Sequence, residues 1–242
     1  MQNDNRPLRR PADMLYSGIS PVWTHKEMPA YESKNFTGEG LLCIRGERTV
    51  FASLDFAVSS GDALILSGPN GSGKSSLLRV MAGLIAPAAG TLIRDGASIL
   101  NDPEVHHDSL HYVGHLDAVK PVLTVAENLS FWAALRGDTT QVDDALETFG
   151  LAPLAGISAR LLSSGQRRRL NLARIAANPA PLWLLDEPAV GLDIASIAIL
   201  TSLIAAHQAQ GGIVILSTHT DLRIEKAAIL QVNNFAAAVV SI

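Results

Sequence analysis

The 242-residue chain has a single cysteine, Cys43, so it can close no disulfide within itself, which fits a reducing compartment. It has no run of about 18 apolar residues, so no membrane-spanning helix is expected. Its first residues, MQNDNRPLRRP, are polar and lack the apolar stretch of a secretory signal. The chain is therefore expected to stay on the cytoplasmic side. Charge of one sign is scarce: 19 Lys and Arg stand against 23 Asp and Glu, a net charge of −4, which argues against a general nucleic-acid binder. There is no internal repeat. What is abundant is apolar side chain, 48% of the residues, enough for a substantial core in one large domain.

Two regions differ in texture. Residues 1–40 are rich in Pro, Asn, Ser and Glu with aperiodic apolar positions, and read as a disordered extension. Residues 41–242 read as an α/β domain. Strands are expected at LLCIR (41–45), around FAV (56–58), at ALILS (63–67), TLIRDG (91–96), LHYVG (110–114), PLWLLDEP (181–188) and GIVILSTH (212–219). Helices are expected at 75–84, 124–137, 141–150 and 167–178, the second opened by a Thr124/Glu127 capping box. Alternating strands and helices point to a mostly parallel sheet. The helices between about 120 and 178 interrupt that alternation as a helical subdomain.

GPNGSGKS (68–75) fits G-x-x-x-x-G-K-[ST] between an expected strand and helix, the setting in which backbone N–H groups cradle phosphates. The cradle covers Gly68, Pro69, Asn70, Gly71, Ser72, Gly73, Lys74, Ser75 and Ser76, with Lys74 reaching the outer phosphates and the Ser75 hydroxyl on Mg2+. LWLLDEP places Asp186 at a buried strand end, where it would hold Mg2+, and Glu187 next to it, where it would activate water. His219 ends another apolar strand, and its imidazole would meet the γ-phosphate. A second small-residue turn, Ser163, Ser164, Gly165 and Gln166, precedes a helix and is also built to hold an anion. One loop already encloses this chain's own triphosphate. The second turn needs a second nucleotide, or the same nucleotide approached from a second subunit.

GPNGSGKS, LSSGQ, LWLLDEP, GLD (191–193) and STH, in this order, resemble the ABC ATPases over about residues 41–240. The resemblance implies a P-loop NTPase of ABC type, with a mostly parallel sheet core, an antiparallel N-terminal β part and a helical subdomain. It implies ATP and Mg2+ as ligands and a dimer in which LSSGQ closes over the partner copy's ATP, with Asp193 in the dimer contact. Ser164 stands where Gly is usual. His115 stands where the family usually has Gln, near metal and attacking water. No adenine-stacking aromatic is evident upstream, and Arg45 lies nearest that place. The stretches GHLDAVKPVLTVAENLSFWAALRG and LLSSGQRRRLNLARIAANPAPLWLLDEPAVGLDIAS resemble more narrowly the small ATP-binding subunits of the haem exporter of cytochrome c maturation. That likeness implies an integral membrane permease partner and a place on the cytoplasmic face of the bacterial inner membrane. It leaves open an ABC transporter for another substrate.

Other features have plainer readings. Arg167, Arg168 and Arg169 read as a solvated first helical turn, and His106–His107 as an exposed pair. Cys43 reads as a core strand residue. A DNA-repair ABC ATPase would carry a long coiled-coil insert, and only 47 residues lie between His115 and Ser163. A P-loop GTPase would carry an N-K-x-D motif, which is absent. An imidazole at 115 would also make turnover sensitive to pH. His115→Gln is expected to keep ATPase activity and flatten its profile between about pH 6 and 8; an unchanged profile would discard that role.

Overall fold

The computed structural model describes residues 31 and 35–236. The extension expected at 1–40 lies mostly outside the described residues, but its last six positions do not belong to it. Strand β1 (Asn35–Arg45) starts at Asn35 and runs antiparallel to β2 (Arg48–Ser59) from the Asn35–Ser59 pair to the Arg45–Arg48 pair. The apolar spacing across 36–43 is broken by Gly38 and Gly40, where the register shifts, and that hides the strand from a reading by period. A Cβ on Gly38 would lie 2.3 Å from the Phe56 ring, so the ring closes over a bare backbone.

β4 (Ala89–Arg94) and β5 (Ala97–Ser98) complete a four-stranded antiparallel sheet in the order β2-β1-β4-β5. The second sheet is parallel. It consists of β3 (Ala63–Ser67), β6 (Leu110–Val113), β7 (Leu182–Asp186), β8 (Ile213–Ser217) and β9 (Ala227–Gln231), ordered β6-β7-β8-β3-β9. β7 and β8 are buried at every residue, as continuous apolar runs in a doubly covered sheet should be.

Alternation along these strands divides the core in two. Leu182, Leu184, Ile213 and Ile215 face the antiparallel sheet and helix α1 (Lys74–Met81). Trp183, Leu185, Val214 and Leu216 face the other side. There they join α3 (Val125–Ala134), α4 (Val142–Thr148), α5 (Ser164–Ala177) and α6 (Ile194–Ala209) through Leu129, Leu146, Leu172 and Leu200. A short helix α2 (Pro103–Asp108) precedes β6. None of the described helices is long and apolar enough to cross a membrane.

Several boundaries move. α1 ends at Met81 because Gly83 takes φ 72, a left-handed stop; Leu77, Leu78 and Met81 are buried as expected, but Leu84 is exposed. α5 begins at Ser164 instead of near Arg167, so the small-residue turn is the helix's first turn, with Ser163 as its N-cap. Helices α2 and α6 and strand β9 have no counterpart in the sequence reading. The α6 sequence, IASIAILTSLIAAHQA, puts apolar residues on its open faces and Ser196 and His207 on its buried one, so it shows no helical stripe. The Thr124/Glu127 capping box is present with both of its bonds, at 3.2 and 2.8 Å.

Among the described residues three histidines are buried. Burial holds His106 and His207 down at about 4, and burial, reinforced by the Arg136 charge, holds His111 at about 3. His106 bonds the Met81 carbonyl oxygen at 2.9 Å, which corrects the reading of His106–His107 as an exposed pair: only His107 is exposed. His207 stacks on Trp183 at 3.9 Å. In the unfolded chain each titrates near about 6.5, so between that value and the native one the unfolded state binds more protons. Their contribution to stability is complete above about pH 6.5 and is lost as pH falls toward 4 and 3. Denaturation midpoints should therefore hold steady above pH ~7 and fall between about 6.5 and 4. His207→Leu should make that fall shallower; an unchanged slope would remove His207 from the account and leave the fall to His106 and His111.

Candidate functional site

The loop 68–75 leaves the end of β3 and enters α1. Gly71 and Gly73 take φ 81 and 104, and a Cβ on Gly73 would lie 2.7 Å from Val50. α1 has no side-chain cap, so its first-turn N–H groups are offered to whatever anion the loop encloses. Lys74 is 8% exposed, and its ammonium donates to the carbonyl oxygens of Gly68 at 2.7 Å and Pro69 at 3.2 Å. These two bonds aim the side chain back across the mouth of its own loop.

Asp186 closes β7 and is 1% exposed. Its Oδ1 accepts from Ser75 Oγ at 3.0 Å and from Ser217 Oγ at 2.7 Å. Its Oδ2 is buried and has no hydrogen-bond partner. A buried carboxylate oxygen without a donor is costly unless a cation or its water shell takes it, and the Ser75 hydroxyl supplies a hard oxygen beside it. The donor set therefore fits a small divalent cation.

Glu187 stands at φ 49, left-handed for a residue with a side chain. Its N–H donates to both the Ser217 carbonyl oxygen at 3.1 Å and Ser217 Oγ at 3.0 Å. Its carboxylate faces His219: Oε2 accepts from the His219 N–H at 3.3 Å, and Oε1 lies 3.4 Å from His219 Nε2. The side chain of Glu187 is 15% exposed and that of His219 58%, so the pair sits at the rim with the carboxylate underneath.

A cleft of about 590 Å3 collects Lys74, Ser75, Asp186 and Glu187, while His219 touches Glu187 without lining it. Asn70, Gly71, Gly73, Lys74, Ser75, Ser76, His115, Asp186 and Glu187 line it, together with Arg45, Arg48, Val50 and Arg79. Ser163, Ser164, Gly165, Gln166 and Asp193 do not line it. They form a second place. A Cβ on Gly165 would lie 3.1 Å from the Gly191 carbonyl oxygen, just before Asp193 caps α6 with a 2.8 Å bond from the Ser196 N–H. Bonds from Ser196 hold the Asp193 carboxyl below the usual carboxylate range. Ser163 and Gln166 form a capping box with each other, at 3.2 and 2.8 Å.

Two residues escaped the sequence reading. Arg168 is not solvated but buried, and it bonds the backbone at Asp186, Glu187, Pro188 and Gly114. The helical period held the signal: 168, 172 and 175 lie on one stripe, and Leu172 and Ile175 are core residues. Ser217 was quoted within STH without a role, yet it serves Asp186 and Glu187 together. Ser217→Ala leaves Asp186 Oδ1 with Ser75 alone, and the unfolding free energy should fall by about 1–3 kcal/mol in a denaturant titration. No change would mean that water replaces the hydroxyl.

Known proteins place the chain in a family. The family model described as ABC transporter matches residues 51–190. The cytochrome c biogenesis ATP-binding export protein CcmA of Rhodospirillum rubrum is 58% identical over 202 residues, covering 83% of this chain and 87% of that protein. The protein of the same name from Paramagnetospirillum magneticum is 55% identical over 208 residues, covering 84% and 96%. In three dimensions the chain is similar to an ATP-binding subunit of an ABC transporter, with TM-score 0.74 at 24% identity over 82% of this chain and 86% of that one. It is also similar to a dimeric ATP-binding cassette in a post-hydrolysis state bound to ADP and Pi, with TM-score 0.70 at 22% identity over 82% and 95%. These two likenesses bear on the fold. The chain belongs to the ATP-binding family of ABC transporters, among the cytochrome c biogenesis ATP-binding export proteins.

Proposed function

We propose that this chain is the ATP-hydrolysing subunit of a membrane export complex of cytochrome c biogenesis, with haem as the cargo. The observation that carries the ATPase reading is the cleft in which one buried carboxylate, Asp186, ties the phosphate loop to the strand end that bears Glu187. Residues 68–76 enclose the triphosphate, with backbone N–H groups toward its oxygens and two of the three Lys74 N–H groups already fixed by the loop. Ser75 and Asp186 are the residues that would hold Mg2+, which when bound would neutralise charge on the outer phosphates. Glu187 takes the proton of the attacking water, and His219 holds that carboxylate from the rim. His115 lines the same cleft and takes the remaining place beside the water.

Ser163–Gln166 and Asp193 lie away from the cleft and serve a second copy of the chain, so that two copies enclose two nucleotides. Closure requires that ATP bind the closed pair more tightly than the open one. The exposed Leu116 and Val122 lie on the segment that follows His115, and this segment meets the permease subunit at the cytoplasmic face of the inner membrane. The haem reading leans on the names of the relatives, which tie export to cytochrome c biogenesis. Export of another substrate is the second reading.

Glu187→Gln is expected to retain ATP binding and to lose turnover by about a hundredfold or more, accumulating the paired form in size-exclusion chromatography with ATP. Purification from detergent-solubilised membranes should bring down a multi-span permease of cytochrome c maturation with a haem absorption band. An unrelated permease would keep the ATPase and discard haem. A chain that copurifies with no membrane subunit would discard transport.

A further inference from the structure

We propose that Arg168 is a positioning residue for hydrolysis, locking Glu187 and His115 into one geometry through a single guanidinium. It rests on the reading of Glu187 as the base. All five N–H groups of the guanidinium are accounted for. Nη2 donates to the Asp186 carbonyl oxygen at 3.0 Å and to the Glu187 carbonyl oxygen at 2.7 Å. Nη1 donates to the Gly114 carbonyl oxygen at 3.1 Å and to Asp117 Oδ1 at 3.2 Å. Nε reaches the Pro188 carbonyl oxygen at 3.4 Å. Asp117 is held in turn by Asn171 Nδ2 at 3.3 Å, from the same helix as Arg168.

The bonds select particular peptide planes. The carbonyls of 186 and 187 belong to the two planes that flank the Glu187 Cα, so one nitrogen fixes both. Glu187 sits at φ 49, where the backbone returns to the ordinary region unless both planes are held. The Gly114 carbonyl belongs to the plane that enters His115. Arg168 thus sets the base and the imidazole relative to each other, and both line the cleft. A buried guanidinium is costly unless its donors are all used, so the group has little freedom to shift alone. It rides on α5, one turn after Ser163–Gln166, and displacement of that helix is carried to the Glu187 backbone. Lysine cannot reproduce this, because one ammonium cannot reach a planar fork of five acceptors.

The test compares the full-length chain with Arg168→Lys, Arg168→Gln, Asp117→Ala and Glu187→Gln, measuring kcat, KM for ATP, the number of binding sites for a fluorescent ATP analogue, and melting temperature. Both Arg168 variants should lose about ten- to a hundredfold in kcat, with KM and site number within about threefold of the parent. Asp117→Ala should lose about two- to fivefold, and Arg168→Gln combined with Asp117→Ala should lose no more than Arg168→Gln alone. The proposal is overturned by a kcat for Arg168→Lys within about twofold of the parent, or by a fall in kcat that only tracks lost binding sites. If the Arg168 variants do not fold, an unchanged kcat in Asp117→Ala overturns it. Full turnover in Glu187→Gln would remove the reading on which it rests, whatever the Arg168 variants do.

Discussion

A carboxylate buried at the end of β7 governs the arrangement of this molecule. Asp186 is 1% exposed, and a charge so placed must collect donors. It finds them on both sides: Ser75 at the start of α1 and Ser217 at the end of β8. Asp186 and Ser217 are also register partners in the parallel ladder. A slip of one residue would turn Ser217 away and place an apolar side chain against the charge, so the polar demand of the site and the register of the sheet enforce each other. The phosphate loop is drawn to the same point because Ser75 belongs to it.

The strain next to that carboxylate has a visible counterweight. Glu187 pays for a left-handed backbone, a cost of about 1–2 kcal/mol for a residue with a Cβ. Ser217 accepts its N–H twice from one side, and Arg168 takes its carbonyl from the other. These are bonds between buried or half-buried groups, where each counts for more than on the surface. The result is a carboxylate that stands at the cleft with a fixed aim instead of sweeping the rim.

What was legible in the sequence follows from how local each signal is. The loop 68–75, Asp186, Glu187 and His219 are each specified within a few residues of a strand end, and the structure brings them together. The capping boxes at Thr124 and Ser163 are equally local. Helix α6 was not legible, because polar Ser196 and His207 fall on its buried face and apolar residues on its open ones, which leaves no stripe to read. The start of β1 at Asn35 was hidden by glycines that break the alternation. Arg168 was misread because a run of three arginines looks solvated. Only the helical phase, with Leu172 and Ile175 on the same face, separates it from its half-buried neighbour Arg167.

In the proposed reading the chain divides its anion-binding equipment between two places, and the division has a physical consequence. The cleft holds Lys74 and the uncapped start of α1. The starts of α5 and α6 lie together elsewhere, where Gly165 comes close to Gly191. The side chains around that second place are poor choices for water: Val190 is 51% exposed and Ile194 84%. The start of α5 offers partial positive charge, that of α6 being already met by the Asp193 carboxylate, and the apolar residues beside them gain when covered. A surface with both properties is satisfied by a partner that brings negative charge and an apolar rim at once. In the proposed pairing of two copies, the cleft of the second, filled by a nucleotide, would answer the first demand, and the Val190–Ile194 segment meeting its own image across a two-fold axis would answer the second.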